Sequence, residues 1–164
     1  MSRIRIDLAA QRLDLFDDEG GVVRSYSVST AKNGAGEQTD SYRTPRGRHI
    51  IRAKIGAGQP ANTVFVERRP TGECYDASLR ERYPNRDWIL TRILWLSGCE
   101  LGFNRLGDVD TMRRCVYIHG TPDEVEMGKP DSHGCIRMRN ADIIELFDQV
   151  APGTPVEIHE SSAG

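Results

Sequence analysis

The chain has 164 residues, of which 38% are hydrophobic, and its formal net charge at pH 7 is −2. This length is typical of one domain with its own core, and we interpret residues 1–164 as a single domain. The near-neutral charge gives no electrostatic support for a nucleic-acid surface, and no apolar run approaches the length of a membrane span.

The first half of the chain has the pattern of short, half-buried strands. Ile4, Ile6 and Leu8 alternate with polar residues, and such alternation predicts a strand with one buried face. A turn is predicted at residues 17–21, where two glycines follow acidic residues. The strands predicted in this half cover residues 4–8, 13–15, 22–29, 48–55 and 64–66, with polar loops at 31–44 and 56–63.

Residues 67–87 form a strongly charged segment that has two interpretations. The first is a solvated excursion with a short helix near residues 77–82, because charge runs usually face water. The second is a flap over a functional site, whose arginines would meet carboxylates of a substrate. The sequence favours the first and leaves the second open.

The second half predicts a central sheet followed by one helix. Residues 88–96 are apolar enough for a central strand, and residues 115–118 form a companion strand that would present His119 at its end. Asn140 has the character of a helix N-cap, and apolar residues then recur at helical spacing up to Gly153. A last strand at residues 154–159 completes a mostly β domain with one packing helix.

One cysteine stands in a setting that suits covalent chemistry. Cys135 directly follows His133 and Gly134, and the pair His119-Gly120 lies upstream. A thiol, a histidine that takes its proton and backbone N–H groups that face the substrate carbonyl are the parts of an acyl-transfer site. The ordinary alternative for each piece is structural, since a cysteine often acts as a small buried hydrophobe.

The remaining cysteines and histidines are interpreted as structural. Cys99 and Cys115 lie near predicted strand ends and should pack, while His49 and His159 should be structural or exposed. No Cys-x-x-Cys pair occurs, so a zinc ribbon is unsupported. Without an export signal, all four cysteines are expected to be free thiols.

Zinc binding is a weaker alternative for the motif residues. His119, His133 and Cys135 could in principle ligate a metal, but no fourth ligand has suitable spacing. A non-catalytic glycan- or peptide-binding domain is a further alternative, although binding alone does not need a thiol. We therefore expect neither a metal nor another cofactor.

Three motifs resemble the YkuD catalytic domain of the L,D-transpeptidases. They are Ser132-His133-Gly134-Cys135-Ile136-Arg137-Met138, the upstream His119-Gly120-Thr121, and the turn Thr44-Pro45-Arg46-Gly47. The resemblance covers residues 4–158. It implies a β-sandwich with mixed sheets, capped by a C-terminal helix.

The resemblance also implies a role for each motif residue. Cys135 would be the nucleophile and His119 the general base, with the Gly120 carbonyl orienting the imidazole ring. The backbone N–H groups of Gly134 and Cys135 would hold the oxyanion. The substrate-binding residues that it implies are Ser132, His133 and Arg137.

The family's substrate is the tetrapeptide stem of peptidoglycan, which is cut between the diamino acid and the terminal D-alanine through a cysteine thioester. Transfer to an amine of another stem would be L,D-transpeptidation, and transfer to water would be L,D-carboxypeptidase activity. The resemblance also implies inhibition by carbapenems.

The charged start, with Arg3, Arg5 and Asp7, does not suit an export signal. We therefore expect a cytoplasmic enzyme that trims soluble muropeptides in murein recycling. An apolar leader ahead of Met1 would instead favour cross-linking in the periplasm.

Overall fold

Strands dominate the computed structural model, which describes residues 2–161. That range contains ten strands and two α-helices, so the predicted mostly β class with a C-terminal helix is confirmed. In chain order the elements are β1 (Arg3–Asp7), β2 (Arg12–Phe16), β3 (Val22–Ser29), β4 (Gly47–Ile55), β5 (Thr63–Val66), β6 (Arg69–Cys74), α1 (Ala77–Arg82), β7 (Leu90–Gly98), β8 (Tyr117–Thr121), β9 (Ile136–Arg139), α2 (Asn140–Gln149) and β10 (Pro155–His159).

The strands form one sheet that closes on itself. Its order is β4-β10-β1-β2-β3-β9-β8-β7-β5-β6, and β4 also pairs with β7. This additional pairing joins eight strands into a ring, from which the β5–β6 hairpin extends. β1 runs parallel to β10 and β8 parallel to β9, whereas the other pairings are antiparallel. The sheet is therefore mixed, as expected.

The main core lies inside this ring and under α2. Ile4, Ile6, Leu13 and Leu15 have at most 1% of their surface exposed, which confirms the alternation seen in the sequence. The second helix packs against β7, β8 and β9. It contributes Ile143, Leu146 and Phe147 to the core. Burial of each such side chain stabilises the fold by about 1.5–3 kcal/mol, and the packing fixes the strands that carry the sequence motifs.

The charged segment contains a strand that the sequence did not predict. β6 pairs with β5, and Val66 lies opposite Arg69, so Glu67 and Arg68 alone form the connecting turn. Both turn residues have positive φ, +51° and +66°, as a two-residue hairpin turn of type I′ requires. Asn and Gly usually reveal such turns, and two charged residues gave no such signal. The short helix predicted at residues 77–82 is confirmed as α1.

Two predicted strands have limits that differ from those in the structure by two residues or more. β8 continues through His119 to Thr121, because β7 and β9 pair with it on both sides. His119 therefore lies within a strand and not at its end. Cys115 has a φ of +57° and stays outside the strand. The central strand begins at Leu90, two residues later than predicted, and ends at Gly98.

The prediction of Asn140 as a helix N-cap is wrong. Arg139 occupies the cap position, and Asn140 is the first residue of α2, with a side chain directed into a buried network. The helix ends at Gln149, before Gly153, since Ala151 precedes a proline and is disfavoured from helical geometry. No helix among residues 2–161 has the length and apolarity to cross a membrane.

Candidate active site

The motif residues meet where β8 and β9 run side by side. Ile118 lies opposite Ile136, so Cys135, directly before β9, is level with Tyr117. The Tyr117 N–H donates to Cys135 Sγ at 3.3 Å. A strand spacing of about 4.8 Å and an offset of two residues place the Cα atoms of Cys135 and His119 about 8 Å apart on one face of the sheet. Both side chains lie on this face, but no hydrogen bond joins them, since Cys135 Sγ contacts the Tyr117 N–H and the Cys115 carbonyl oxygen and His119 Nε2 has no partner among residues 2–161.

Cys135 lies in the wall of a cavity of about 350 Å³. Its half-buried thiol accepts the hydrogen bond from Tyr117 and donates to the Cys115 carbonyl oxygen at 3.5 Å. Burial raises the pKa of the Cys135 thiol to about 12, although the Tyr117 N–H acts in the opposite direction. The resting side chain is therefore a neutral thiol, and a thiol of this kind would need a base to take its proton before it could act as a nucleophile.

His119 is fully buried and neutral. Its Nδ1 lies 2.6 Å from the Gly120 carbonyl oxygen, and because a carbonyl only accepts, this contact assigns the ring proton to Nδ1. Nε2 is left as an acceptor, and it has no hydrogen-bond partner among residues 2–161. Burial lowers the pKa of His119 below the ordinary 6.5. The imidazole can therefore accept a proton at neutral pH, as a general base must.

A buried polar network lies beneath the carbonyl that orients His119. Thr91 Oγ1 donates to Asn140 Oδ1 at 2.5 Å. Asn140 Nδ2 in turn donates to Asn62 Oδ1 at 3.0 Å and to Asp123 Oδ1 at 3.1 Å. Thr91 has a φ of +76° at an irregularity of β7, which is rare for a β-branched residue. No sequence pattern indicates this network, because Thr91 lies within an apolar run.

Gly120 is required by this close packing. A Cβ at Gly120 would lie 2.5 Å from Asn140 Oδ1 and 2.7 Å from the Leu90 carbonyl oxygen. The Leu90 oxygen belongs to the backbone of a paired strand, so it cannot move away cheaply. The glycine of the His-Gly motif therefore lets β8 approach β7 and α2 closely enough to fix the carbonyl that orients His119.

The loop that carries Cys135 is braced on both sides. Gly134 has a φ of +133°, which favours glycine. Ser132 Oγ accepts from the Gly134 N–H at 3.2 Å and donates to the Cys135 carbonyl oxygen at 2.6 Å. Thr44 Oγ1 donates to the Gly134 carbonyl oxygen at 2.9 Å and accepts from the Ala31 N–H at 3.0 Å. The Thr-Pro turn seen in the sequence therefore holds the loop that carries Cys135.

Asp87 lines the same cavity, although the sequence showed it only as one member of a charged run. Its carboxylate accepts from Arg137 at 3.0 Å and lies 3.8 Å from His133 Nδ1. Arg137 is 9% exposed and also faces Asp131 at 3.4 Å, so it braces the loop from behind. His133 is exposed at the cavity mouth, where its ring meets Tyr42 edge to face. Only the fold brings Asp87 to this place.

Arg114 is a second charged residue of the cavity that the sequence did not single out. Its guanidinium donates to the carbonyl oxygens of Gly36, Glu37 and Arg43 at 2.6 to 3.3 Å. Burial lowers the pKa of Arg114, but arginine remains charged in proteins. The cation faces Cys135 and can stabilise negative charge that develops there.

The structure brings the predicted site residues together around one cavity, but only some of them line its wall. The cavity wall includes Cys135 and His133, His119 and Gly120 lie behind it, and Ser132, Gly134 and Arg137 take part in the loop contacts described above. Their chemical roles stay predictions.

All four cysteines are free thiols, but Cys99 is exposed and not packed as expected. Within residues 2–161 no three metal-ligating side chains are grouped so that they could hold a metal ion.

Comparison with known proteins agrees with this geometry. A family model described as the L,D-transpeptidase catalytic domain, YkuD, matches residues 1–158. The chain belongs to this family. The match includes every motif residue discussed above and all ten strands but the last residue of β10.

Two similar proteins of Bacillus subtilis (strain 168) have names that place them among the L,D-transpeptidases. YqjB is 40% identical over 137 residues, which make up 84% of this chain and 60% of YqjB. YkuD is 52% identical over 95 residues, or 58% of this chain and 48% of YkuD. The aligned part of this L,D-transpeptidase-family chain thus spans between about half and three fifths of these relatives.

A solved structure of the L,D-transpeptidase LdtMt1 in complex with imipenem has a similar fold. Its TM-score is 0.57 at 20% sequence identity, with 96% of this chain and 58% of that chain covered. At this identity the likeness concerns the fold alone. The mixed sheet of this family member, with the capping helix α2, is therefore the YkuD fold that the sequence motifs implied.

Proposed function

We propose that this chain is a cysteine-dependent acyl-transfer enzyme that acts on the tetrapeptide stems of peptidoglycan. The observation that carries the proposal is the placement of two neutral groups on one face of the sheet: a Cys135 thiol in a cavity wall and a buried His119 whose Nε2 is an acceptor with no partner among residues 2–161. Membership of the L,D-transpeptidase family supports the choice of substrate.

The proposed first half-reaction forms a thioester. His119 Nε2 takes the thiol proton while Cys135 Sγ attacks the carbonyl carbon of the diamino acid, and the carbonyl electrons move onto oxygen. The N–H groups of Gly134 and Cys135 and the Arg114 cation stabilise this oxyanion; the Gly134 N–H exchanges its bond to Ser132 Oγ to do so. The C–N bond to D-alanine then breaks, and the leaving amine receives the proton from His119.

The second half-reaction is proposed to be hydrolysis. His119 accepts a proton from water, the water oxygen attacks the thioester carbon, and the C–S bond breaks to give tripeptide and a restored thiol. The charges around Cys135 support water as acceptor. Arg68 and Arg114 line the cavity, whereas of its two acids Glu67 is exposed and Asp87 is paired with Arg137. With Asp87 neutralised by Arg137 and Glu67 open to solvent, little free negative charge remains to hold a protonated amine, and water needs none.

Cross-linking is the second candidate, and Asp87 is the observation that favours it. Its carboxylate lies on the cavity wall and could hold the ammonium group of an acceptor stem. The outcome also depends on location. We propose a cytoplasmic site of action on soluble muropeptides, where acceptor amines are dilute relative to water. Fractionation of cells that express the native gene checks this location.

Incubation with a disaccharide tetrapeptide, followed by mass spectrometry of the products, tests the proposed function. We expect tripeptide and free D-alanine in equal amounts, and no product from Cys135→Ala. Cys115→Ala is the matched control, because it removes a thiol from the same cavity without touching the proposed nucleophile. Cross-linked dimer that forms faster than tripeptide would favour the second candidate, and turnover by Cys135→Ala would reject both.

A further inference from the structure

A second cavity, of about 490 Å³, adjoins the one that contains Cys135. Arg68 and Cys115 line both cavities, so the two share a boundary. Four arginines line the second cavity, which we call the arginine basin: Arg52, Arg68, Arg105 and Arg113. A concentration of four cations in one cavity is unexpected for a chain whose net charge is −2.

Three separate parts of the fold supply these arginines. Arg52 comes from β4, at the irregularity between Ile51 and Ala53 where the pairing with β7 shifts, and such bulges redirect side chains. Arg68 comes from the turn between β5 and β6. Arg105 and Arg113 come from the segment that links β7 to β8. The basin is therefore a tertiary feature and not a local charge run.

Most of the positive charge in the basin is uncompensated. The guanidinium groups of Arg52, Arg105 and Arg113 make no ion pair or hydrogen bond with any side chain among residues 2–161. Asp110 is the acid that lines the basin. Its carboxylate accepts from the backbone N–H groups of Leu106 at 2.7 Å and Arg113 at 2.9 Å. Asp110 therefore caps a turn; its charge attracts Arg113, but it forms no ion pair with the three guanidinium groups, which stay available.

The boundary with the Cys135 cavity is held in place. Arg68 donates to the Tyr117 hydroxyl at 2.9 Å and lies 4.4 Å from the centre of the Trp95 ring. The Trp95 indole N–H donates to the Met112 carbonyl oxygen at 3.1 Å. A cation that is fixed by stacking and hydrogen bonding loses little further entropy when it binds an anion. Arg68 is thus preorganised at the point where the two cavities meet.

We propose that the arginine basin is an anion subsite that binds the carboxylate of the terminal D-alanine of the substrate. This inference rests on the proposed function. The carboxylate is one residue beyond the carbonyl that Cys135 attacks, and consecutive Cα atoms are about 3.8 Å apart. Arg68 lies 3.7 Å from Cys115 Sγ, and the Cys115 carbonyl oxygen lies 3.5 Å from Cys135 Sγ. A short leaving group therefore reaches the boundary, where guanidinium geometry matches a carboxylate.

Calorimetric binding to the Cys135→Ala protein tests the subsite without turnover. Two probes are compared: the tetrapeptide with a free terminal carboxylate and the same peptide with a terminal amide. We expect the free acid to bind at least about tenfold more tightly, as one charge-assisted contact typically gives. Added salt should reduce this preference, because it screens the charges.

Substitutions in the basin localise the effect. Arg68→Ala, combined with Cys135→Ala, should lose most of the preference for the free acid, and Arg52→Ala and Arg113→Ala in the same background should each lose a part of it. Arg52 and Arg113 are exposed, so the fold should tolerate their loss, and thermal denaturation checks this for all three variants. Arg82→Ala is the matched control, because Arg82 is an exposed arginine outside both cavities. It should keep the preference.

Equal binding of acid and amide to the Cys135→Ala protein would overturn the subsite, even if the parent protein releases D-alanine. An intact preference with no turnover by the parent protein would instead support the subsite and reject the proposed function. Inorganic phosphate provides a further arm, since guanidinium groups bind either oxyanion. Phosphate that binds in the basin while the peptide shows no preference for the free acid would assign the basin to a phosphate-bearing ligand and overturn the proposal.

Discussion

Thr44 and Gly134 lie 90 residues apart in the chain and are joined by a hydrogen bond of 2.9 Å, from Thr44 Oγ1 to the Gly134 carbonyl oxygen. Thr44 is fully buried. The same hydroxyl accepts from the Ala31 N–H, so one side chain ties two loops to the residue that precedes the proposed nucleophile. The position of Cys135 thus depends on a turn that is remote in sequence.

Thr44→Val should weaken both the fold and the activity. The substitution keeps the shape but leaves the Ala31 N–H and the Gly134 carbonyl oxygen buried without a partner, at a cost of about 1–3 kcal/mol. We expect kcat to fall while KM changes little, because the nucleophile loop loses its brace. Urea denaturation and steady-state kinetics measure the two effects. Thr44→Ser keeps the hydroxyl and should recover most of the activity; equal losses in both variants would contradict a role for the hydrogen bond.

Gly120→Ala should abolish most turnover. The new Cβ would collide with Asn140 Oδ1 and with the Leu90 backbone, so β8 must shift and the carbonyl that orients His119 must move with it. We expect a loss of at least about 100-fold in kcat, the low end of what a positioned base contributes. Gly58→Ala, at an open site with a φ of +77°, is the control and should cost stability but not activity. Full activity of Gly120→Ala in product release would refute the orienting role of this carbonyl.

Much of the fold was predictable because its signals are local. Alternation at Ile4, Ile6 and Leu13 directly reflects a sheet with one buried face. The glycine next to Cys135 in the motif indicates a backbone conformation that other residues disfavour, and Gly134 has such a conformation. Tertiary competition overrode other signals. Asn140 has the side chain of a helix cap, but inside the protein its amide oxygen accepts a hydrogen bond from the Thr91 hydroxyl instead.

The surroundings of the site were the least predictable part. The β5–β6 hairpin was missed because Glu67 and Arg68 occupy turn positions that normally show Asn or Gly. Asp87 and Arg114 look like ordinary surface charges in the sequence. They line the cavity only because strand pairing brings their loops to Cys135.

The pH dependence of activity should reflect a neutral Cys–His pair. Burial lowers the pKa of His119, so the acid limb of kcat/KM should lie below pH 6.5. Burial also raises the pKa of Cys135 to about 12, so the rate should stay level through pH 8.5, where an ordinary thiol ionises. A rate that rises steeply near pH 8.5 would indicate an exposed, independently ionising thiol and would contradict the neutral pair.

Stability should fall on mild acidification, with His49 as one cause. Burial lowers the pKa of His49 to about 4, while the unfolded chain takes up this proton near pH 6.5. The unfolded state therefore binds more protons between these values, and stability is lost as pH falls from about 6.5 to about 4, by up to about 1.4 kcal/mol per pH unit for this group. His119 acts in the same direction.

Urea denaturation from pH 4 to pH 8 measures this effect. His49→Gln should reduce the slope of the free energy of unfolding against pH by the contribution of this one histidine. It should also lower stability at pH 8, because it disturbs the contact to Thr111. His159→Gln is the matched control, because His159 is partly exposed, and it should retain the parent slope. An unchanged slope in His49→Gln would contradict the assignment.

Capture of the acyl-enzyme tests the central claim most directly. The protein is mixed with disaccharide tetrapeptide, quenched in acid within the first turnover, digested and mapped by mass spectrometry. The account predicts a tripeptide-linked thioester on the peptide that contains Cys135, retained in Cys115→Ala and absent from Cys135→Ala. D-Alanine release without any adduct on Cys135, or with the adduct on Cys115, would contradict it.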